Sequence, residues 1–125
     1  PEDVELVGIT PHAHYLCRDM KVNAYRPDWS VTPLIWIKNW DVNWQGNYRY
    51  ASPVKLPEGT RVELEYTYDN SESNPRNPSH PPVRVTWGEQ TTNEMALAFI
   101  SVGLPTPADA AEFTRELFFW LSARK

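Results

Sequence analysis

Twelve prolines are spread through this 125-residue chain, about twice the ordinary usage of roughly 5%. Each one fixes φ and removes a backbone donor, so long helices are excluded over most of the length. Between them, short apolar stretches alternate with Gly, Asn and Asp punctuation, which is the pattern of strands and turns. Val4 to Ile9 reads as a first strand, closed by Pro11. Met20 to Tyr25 alternates, with Met20, Val22 and Ala24 set against Lys21, Asn23 and Tyr25. Val31 to Ile37 is β-branched and carries Trp36, and Asn47 to Ala51 leads to a turn at Leu56-Pro57-Glu58-Gly59. From Arg61 to Tyr68, Val62, Leu64, Tyr66 and Tyr68 share one face and Arg61, Glu63, Glu65 and Thr67 the other, so one face is buried and one wet. Val83 to Trp87 is a further strand, and the dense apolar run Met95 to Val102 reads as a buried one.

About eight such strands predict an all-β fold, an antiparallel jelly-roll sandwich, over residues 1–103. A chain of this size buries roughly two-thirds of its unfolded surface and needs no metal or disulfide to hold a core. Residues 104–125 change character. Thr106 precedes Pro107 at a first helical position with Asp109 three residues on, which is a helix start. Phe113, Leu117, Phe118 and Leu121 then recur at helical spacing, and Arg124 and Lys125 close a C-terminal helix. Phe119 and Trp120 add more apolar surface than one stripe explains, so the helix is expected to dock on the sandwich or on a missing neighbour.

Sixteen acidic against twelve basic residues leave a net charge of −4, which argues against a nucleic-acid partner, because that affinity needs a basic surface. No apolar run approaches the ~18 residues of a membrane helix. The chain begins with Pro and carries no charged segment followed by an apolar one, so it reads as a mature fragment or a cut domain. Cys17 is the single cysteine and cannot form an intrachain disulfide.

His12-Ala13-His14 is the sharpest local feature. Residues two apart in an extended segment point to one face, so both imidazoles can reach a single metal ion. The plainer alternative is a pair of surface histidines in a turn. A third ligand would come from His80, Met95, Cys17 or a carboxylate; zinc favours imidazole, thiolate or carboxylate, whereas Cu(I) accepts a thioether beside imidazoles. Met95 also reads as ordinary core packing, His80 as a solvent-exposed loop residue and Cys17 as a small buried hydrophobe. Trp29, Trp36, Trp40, Trp44 and Trp87 fit either a sugar-stacking surface or the core. Asp69 to Pro82, rich in Asn, Ser and Pro, is an irregular loop long enough for functional use.

Five stretches together carry a resemblance: Thr10-Pro-His-Ala-His-Tyr-Leu-Cys-Arg-Asp-Met-Lys-Val, Trp40-Asp-Val-Asn-Trp-Gln, Tyr68-Asp-Asn-Ser, Asn74-Pro-Arg-Asn-Pro and Trp87-Gly-Glu-Gln-Thr-Thr-Asn-Glu-Met. In this order they resemble the C-terminal domain of copper type II ascorbate-dependent monooxygenases, in a bacterial form, with peptidylglycine α-hydroxylating and dopamine β-monooxygenases as animal relatives. The resemblance runs from about residue 4 to residue 102, outside the terminal helix, and implies a jelly roll with one copper ion, Cu(I)/Cu(II), on His12, His14 and Met95. It also implies dioxygen as co-substrate, an external reductant such as ascorbate, and hydroxylation of a C–H bond in a small-molecule or peptide substrate. A periplasmic or extracellular location follows from the same likeness. The family's second copper sits on three histidines in a preceding electron-transfer domain, and this chain has only His80 to spare. The arginine and tyrosine with which peptide-hydroxylating members hold substrate are matched here by Thr10 and Phe99, so glycine-extended peptides are not implied. Two other classes stay open: a non-enzymatic copper-binding module, and a β-sandwich that binds carbohydrate or a partner protein.

Overall fold

The computed structural model describes residues 3–104 and 106–122, without the side chains of residues 120 and 121. Six strands and one helix form among them: β1 (Val4–Ala13), β2 (Cys17–Tyr25), β3 (Val31–Lys38), β4 (Tyr48–Leu56), β5 (Arg61–Tyr68), β6 (Ala96–Gly103) and α1 (Pro107–Ser122). They make two antiparallel three-stranded sheets, ordered β4-β1-β6 and β3-β2-β5.

The sheets meet face to face, because the buried cluster draws Leu6, Ile9 and Leu56 from the first and Val22, Ala24 and Leu34 from the second. Each Leu, Ile or Val side chain among them contributes about 1.5–3 kcal/mol on burial. A second cluster of Ala13, Cys17, Met20 and Trp40, with Tyr66 and Tyr68 packed against it, fills the end where β1 finishes. Period-two alternation sorts β1 cleanly here: Ile9, Pro11 and Ala13 are buried between the sheets, which turns Thr10 and His12 to the outer face. Asn39, with φ 59°, bends the chain after β3 into the left-handed region that Asn tolerates, and Trp40 follows it into the core.

Several expectations change. Pro11 does not close β1, which runs on to Ala13. Pairing with β4 stops at Ile9, so β1 is an edge on that side at Pro11 and a missing donor costs no ladder bond. Pro33 and Pro53 likewise sit in the outer strands β3 and β4. About eight strands were expected from the punctuation; the described residues form six, and Val83 to Trp87 contributes only an isolated bridge from Trp87 to Glu94. Pro81 and Pro82 remove two successive donors just before it. Nor is β6 buried on both faces: Leu97 and Phe99 are exposed. Of the five tryptophans singled out, only Trp40 is core; Trp29, Trp36, Trp44 and Trp87 lie open.

The helix start forms as the spacing implies, with Asp109 N–H donating to Thr106 Oγ1 at 3.2 Å and Thr106 N–H donating to Asp109 Oδ2 at 3.0 Å. Phe113 faces Val4, Leu56 and Val102 across a cavity of about 250 Å³ at one end of the sandwich. Leu117, Phe118 and Phe119 are exposed. The expectations for the Trp120 and Leu121 side chains and for Arg124 and Lys125 lie outside the described residues. No helix among the described residues is long and apolar enough to cross a membrane.

Candidate metal centre

The pairing of β1 with β6 places Thr10 opposite Phe99, His12 opposite Leu97 and Ala13 opposite Ala96. The same register continues one residue past the end of β1, where His14 N–H donates to Met95 O at 3.3 Å. Directly opposed residues share a face, with β-carbons about 4.5–5.5 Å apart. His12, His14 and Met95 therefore belong to the outer face of one strand pair, although the two histidines and the methionine are 81 positions apart in the chain, counted from His14.

Both imidazoles are oriented by their Nδ1 atoms. His14 Nδ1 lies 3.1 Å from the backbone oxygen of Asn93, and a carbonyl only accepts, so Nδ1 carries the proton. His12 Nδ1 lies 2.6 Å from Gln45 Oε1. The amide orientation of Gln45 is set because its Nε2 donates to Val42 O at 2.9 Å. In both rings the second nitrogen, Nε2, is then the one with a lone pair to offer. A donor bond from the far nitrogen of a histidine also fixes ring orientation and raises its basicity as a ligand.

The ring separation suits one shared ion. A ring bound through one nitrogen has its centroid about 3.2 Å from a first-row metal, the ~2.0–2.1 Å bond plus ~1.1 Å of ring. Two rings on one tetrahedral ion are then ~5 Å apart, and the centroids of His12 and His14 are 5.1 Å apart with planes at 89°. His14 is 3% exposed, yet the only fully buried and unpartnered side-chain nitrogen or oxygen among the described residues is Arg26 Nε. His14 Nε2, which makes no hydrogen bond among those residues, keeps an opening to the surface.

The loop before β6 wraps the histidine segment. Besides the bonds to Asn93 O and Met95 O, Tyr15 N–H donates to Thr91 O at 3.4 Å. The loop is itself closed by Gly88 N–H to Glu94 O at 3.1 Å and Asn93 N–H to Gln90 O at 2.8 Å. Met95 is half-buried where this loop becomes strand.

The other candidate ligands stand elsewhere. Cys17 is fully buried in the core cluster, its Sγ donates to Asp19 O at 3.6 Å, and burial pushes its thiol up to about 12. A thiol kept protonated and turned inward is no ligand. His80 is exposed in the 69–82 loop. That loop is held by its own asparagines: Asn74 Nδ2 donates to Asp69 O at 2.7 Å and Asn77 Nδ2 to Asn70 Oδ1 at 3.0 Å, both side chains being buried. Arg76 ties it to the carbonyl of Trp40. Among the described residues no three His, Cys, Asp or Glu side chains gather as a metal site.

Sequence reasoning did not single out Gln45 or Asn93 as partners of the histidines. Trp40-Asp-Val-Asn-Trp-Gln and the stretch ending at Met95 were the signal for them, since both motifs contain the residue that holds a ring. Around these residues the outer face is apolar: Leu97 is 42% and Phe99 61% exposed beside His12 and Thr10. A groove of about 380 Å³, of mixed polar and apolar lining, opens between Tyr15, Asp41, Asn43, Arg76 and Asn77. Compared with family models, curated proteins and solved structures, the chain finds no match.

Proposed function

We propose that this chain is a mononuclear copper-binding domain, the oxygen-activating half of a copper-dependent monooxygenase that hydroxylates a C–H bond. In this reading the two sheets belong to a jelly roll, and an electron-transfer domain completes the enzyme. One observation supports it above the rest: two histidines whose Nδ1 protons are already committed stand on one face, with a methionine paired across the strand from the second.

The donor set fits copper. Two neutral imidazoles and one thioether suit Cu(I), whereas zinc sites take imidazole, thiolate or carboxylate. When bound, copper supplies one-electron chemistry toward dioxygen at that face. The residues of the chain bind and orient. His12 and His14 offer Nε2, Gln45 and Asn93 hold the rings against rotation, and Met95 favours the reduced ion. Leu97 and Phe99 give the C–H-bearing part of a substrate an apolar surface next to the ligands and reduce the water there. Thr10 and Phe99 offer no charge, so an apolar small molecule suits the face better than a peptide carboxylate.

Anaerobic titration of the apo-chain with Cu(I) against a competing chelator, beside Met95→Ile, tests the reading. One-to-one binding that falls sharply in the variant supports it. Absence of binding in the wild-type chain overturns it. The non-enzymatic copper-binding alternative draws on the 380 Å³ groove, whose lining includes none of His12, His14 and Met95. Ascorbate-driven oxygen consumption by the copper-loaded chain, stimulated by apolar C–H compounds, separates the two.

A further inference from the structure

The ligand strands are held by side chains from across the sandwich, one from the segment after β3 and two from β5. Trp40 Nε1–H donates to the carbonyl of Ala13, between the two histidines, at 3.0 Å in the buried core. Tyr68, the last residue of β5, donates its hydroxyl to Met95 O at 2.9 Å, and Tyr66 donates to Leu97 O at 2.6 Å. The two tyrosine bonds join β5 to β6 and to the residue before it, and the indole bond reaches the end of β1.

The two tyrosine bonds differ in what they fix. Leu97 lies inside β6 and is already registered against His12 by the strand ladder. Met95 precedes β6, and its carbonyl is anchored by two donors, Tyr68 Oη and His14 N. Methionine has three rotatable side-chain bonds and adapts to its surroundings, so the reach of its sulfur depends on where its Cα is held.

We propose that Tyr68 is a positioning residue for the Met95 thioether, acting across the sandwich through the Met95 carbonyl. The inference rests on the copper reading above. The phenol touches neither metal nor substrate. It fixes the backbone from which the softest ligand extends, so its effect belongs to the oxidation state that this ligand favours.

The test compares Cu(I) and Cu(II) affinities of the full chain in wild type, Tyr68→Phe, Tyr66→Phe and Met95→Ile. Thioether ligation favours Cu(I), whereas the imidazoles bind both ions. Tyr68→Phe is expected to weaken Cu(I) about tenfold, as outer-shell changes do, with Cu(II) affinity and thermal midpoint nearly unchanged and Tyr66→Phe silent. Copper X-ray absorption should show the sulfur contribution weakened in Tyr68→Phe alone of the two tyrosine variants. Equal losses for Cu(I) and Cu(II), or the same loss in Tyr66→Phe, mean general loosening and overturn the proposal. Wild-type binding that falls in Met95→Ile and holds in Tyr68→Phe overturns it while leaving the copper reading intact. No wild-type Cu(I) binding removes both. Should Tyr68→Phe fail to fold, the ¹³C-methyl resonance of Met95 in the metal-free wild type carries the test. One sharp, ordered signal supports a pre-set thioether, and a methyl averaged between rotamers overturns it.

Discussion

Asn93 and Gly88 interlock: a β-carbon built on Gly88 would lie 2.7 Å from Asn93 Cγ, closer than real β-carbons approach. The carbonyl of that same asparagine receives the Nδ1 proton of His14. Gly88→Ala must therefore shift the Asn93 side chain, and we expect the shift to carry to the Asn93 backbone oxygen that orients the ring. We expect metal affinity to fall about tenfold, in the range of outer-shell losses, while the thermal midpoint moves little because the loop lies outside both core clusters. Metal titration beside a thermal melt checks this, and an unchanged affinity would show that His14 does not depend on Asn93.

Gln45 acts on the other ring. In Gln45→Ala the His12 Nδ1 proton loses its acceptor and the imidazole is free to turn or change tautomer. Metal affinity should fall by about 10-fold or more, with folding stability within about 0.5 kcal/mol of wild type, since Gln45 is exposed. The histidine ¹⁵N shifts of the metal-free chain read the tautomer directly. A His12 signal that stays Nδ1-protonated in the variant would remove Gln45 from this role.

The limits of the sequence can be traced to particular residues. Alternation was enough to find β5 as a strand, but not to sort its faces fully, because Leu64 on the apolar face is exposed while Glu63 on the other is half-buried. It was also enough to put His12 and His14 on one face. The pairing of β1 with β6 was not legible, because register is a property of two segments some ninety residues apart and neither announces the other. That is why Met95, His14's cross-strand neighbour, reads alone as a core methionine. The apolar run of β6 reads as buried on both faces for a related reason: hydrophobicity records which residues prefer burial, and Leu97 and Phe99 lie on a face the described residues leave open. The partner of His14 carries no side-chain signature at all, since it is a backbone oxygen of Asn93. Val83 to Trp87 has strand composition, but among the described residues it pairs only through the Trp87–Glu94 bridge, and punctuation alone does not report whether a run has a neighbour.

Trp40 is the largest fully buried side chain among the described residues, and its indole N–H satisfies Ala13 O. Trp40→Ala should cost about 3–5 kcal/mol, the usual range for emptying an aromatic core position, and should leave the Ala13 carbonyl without its indole donor. Trp40→Phe restores most of the volume and should cost clearly less. Urea unfolding followed by circular dichroism gives both values. A loss below ~1 kcal/mol for the alanine variant would mean that the cluster around Cys17 and Met20 collapses to fill the space.

Stability should decline at alkaline pH. Burial raises Cys17 from 9.0 to about 12 and Tyr66 from 10.0 to about 12. Above pH 9 the unfolded chain loses these protons first, so it binds fewer than the folded chain and unfolding is favoured as pH rises. The contribution is complete below pH 9 and disappears between 9 and 12. Unfolding curves at pH 7, 9 and 10.5, with Cys17→Ala as comparison, should show a shallower decline in the variant over the first part of that window. Rapid alkylation of the native thiol at neutral pH would contradict the burial on which this rests.

Because β1 is paired on one side by β4 and on the other by β6, the strand that carries the histidines waits longest for its second neighbour. A ribosome releases His12 and His14 some eighty residues before Met95, and loop-closure entropy makes so distant a pairing slow to form even when the whole chain is free. During that interval β1 has one open edge, the kind of edge that recruits foreign strands. In the copper reading proposed above, an ion offered too early would find two imidazoles without Met95, the Asn93 carbonyl or the Tyr68 hydroxyl bond. In that reading, loading the centre is a late event in the life of the chain, and its timing is set by topology.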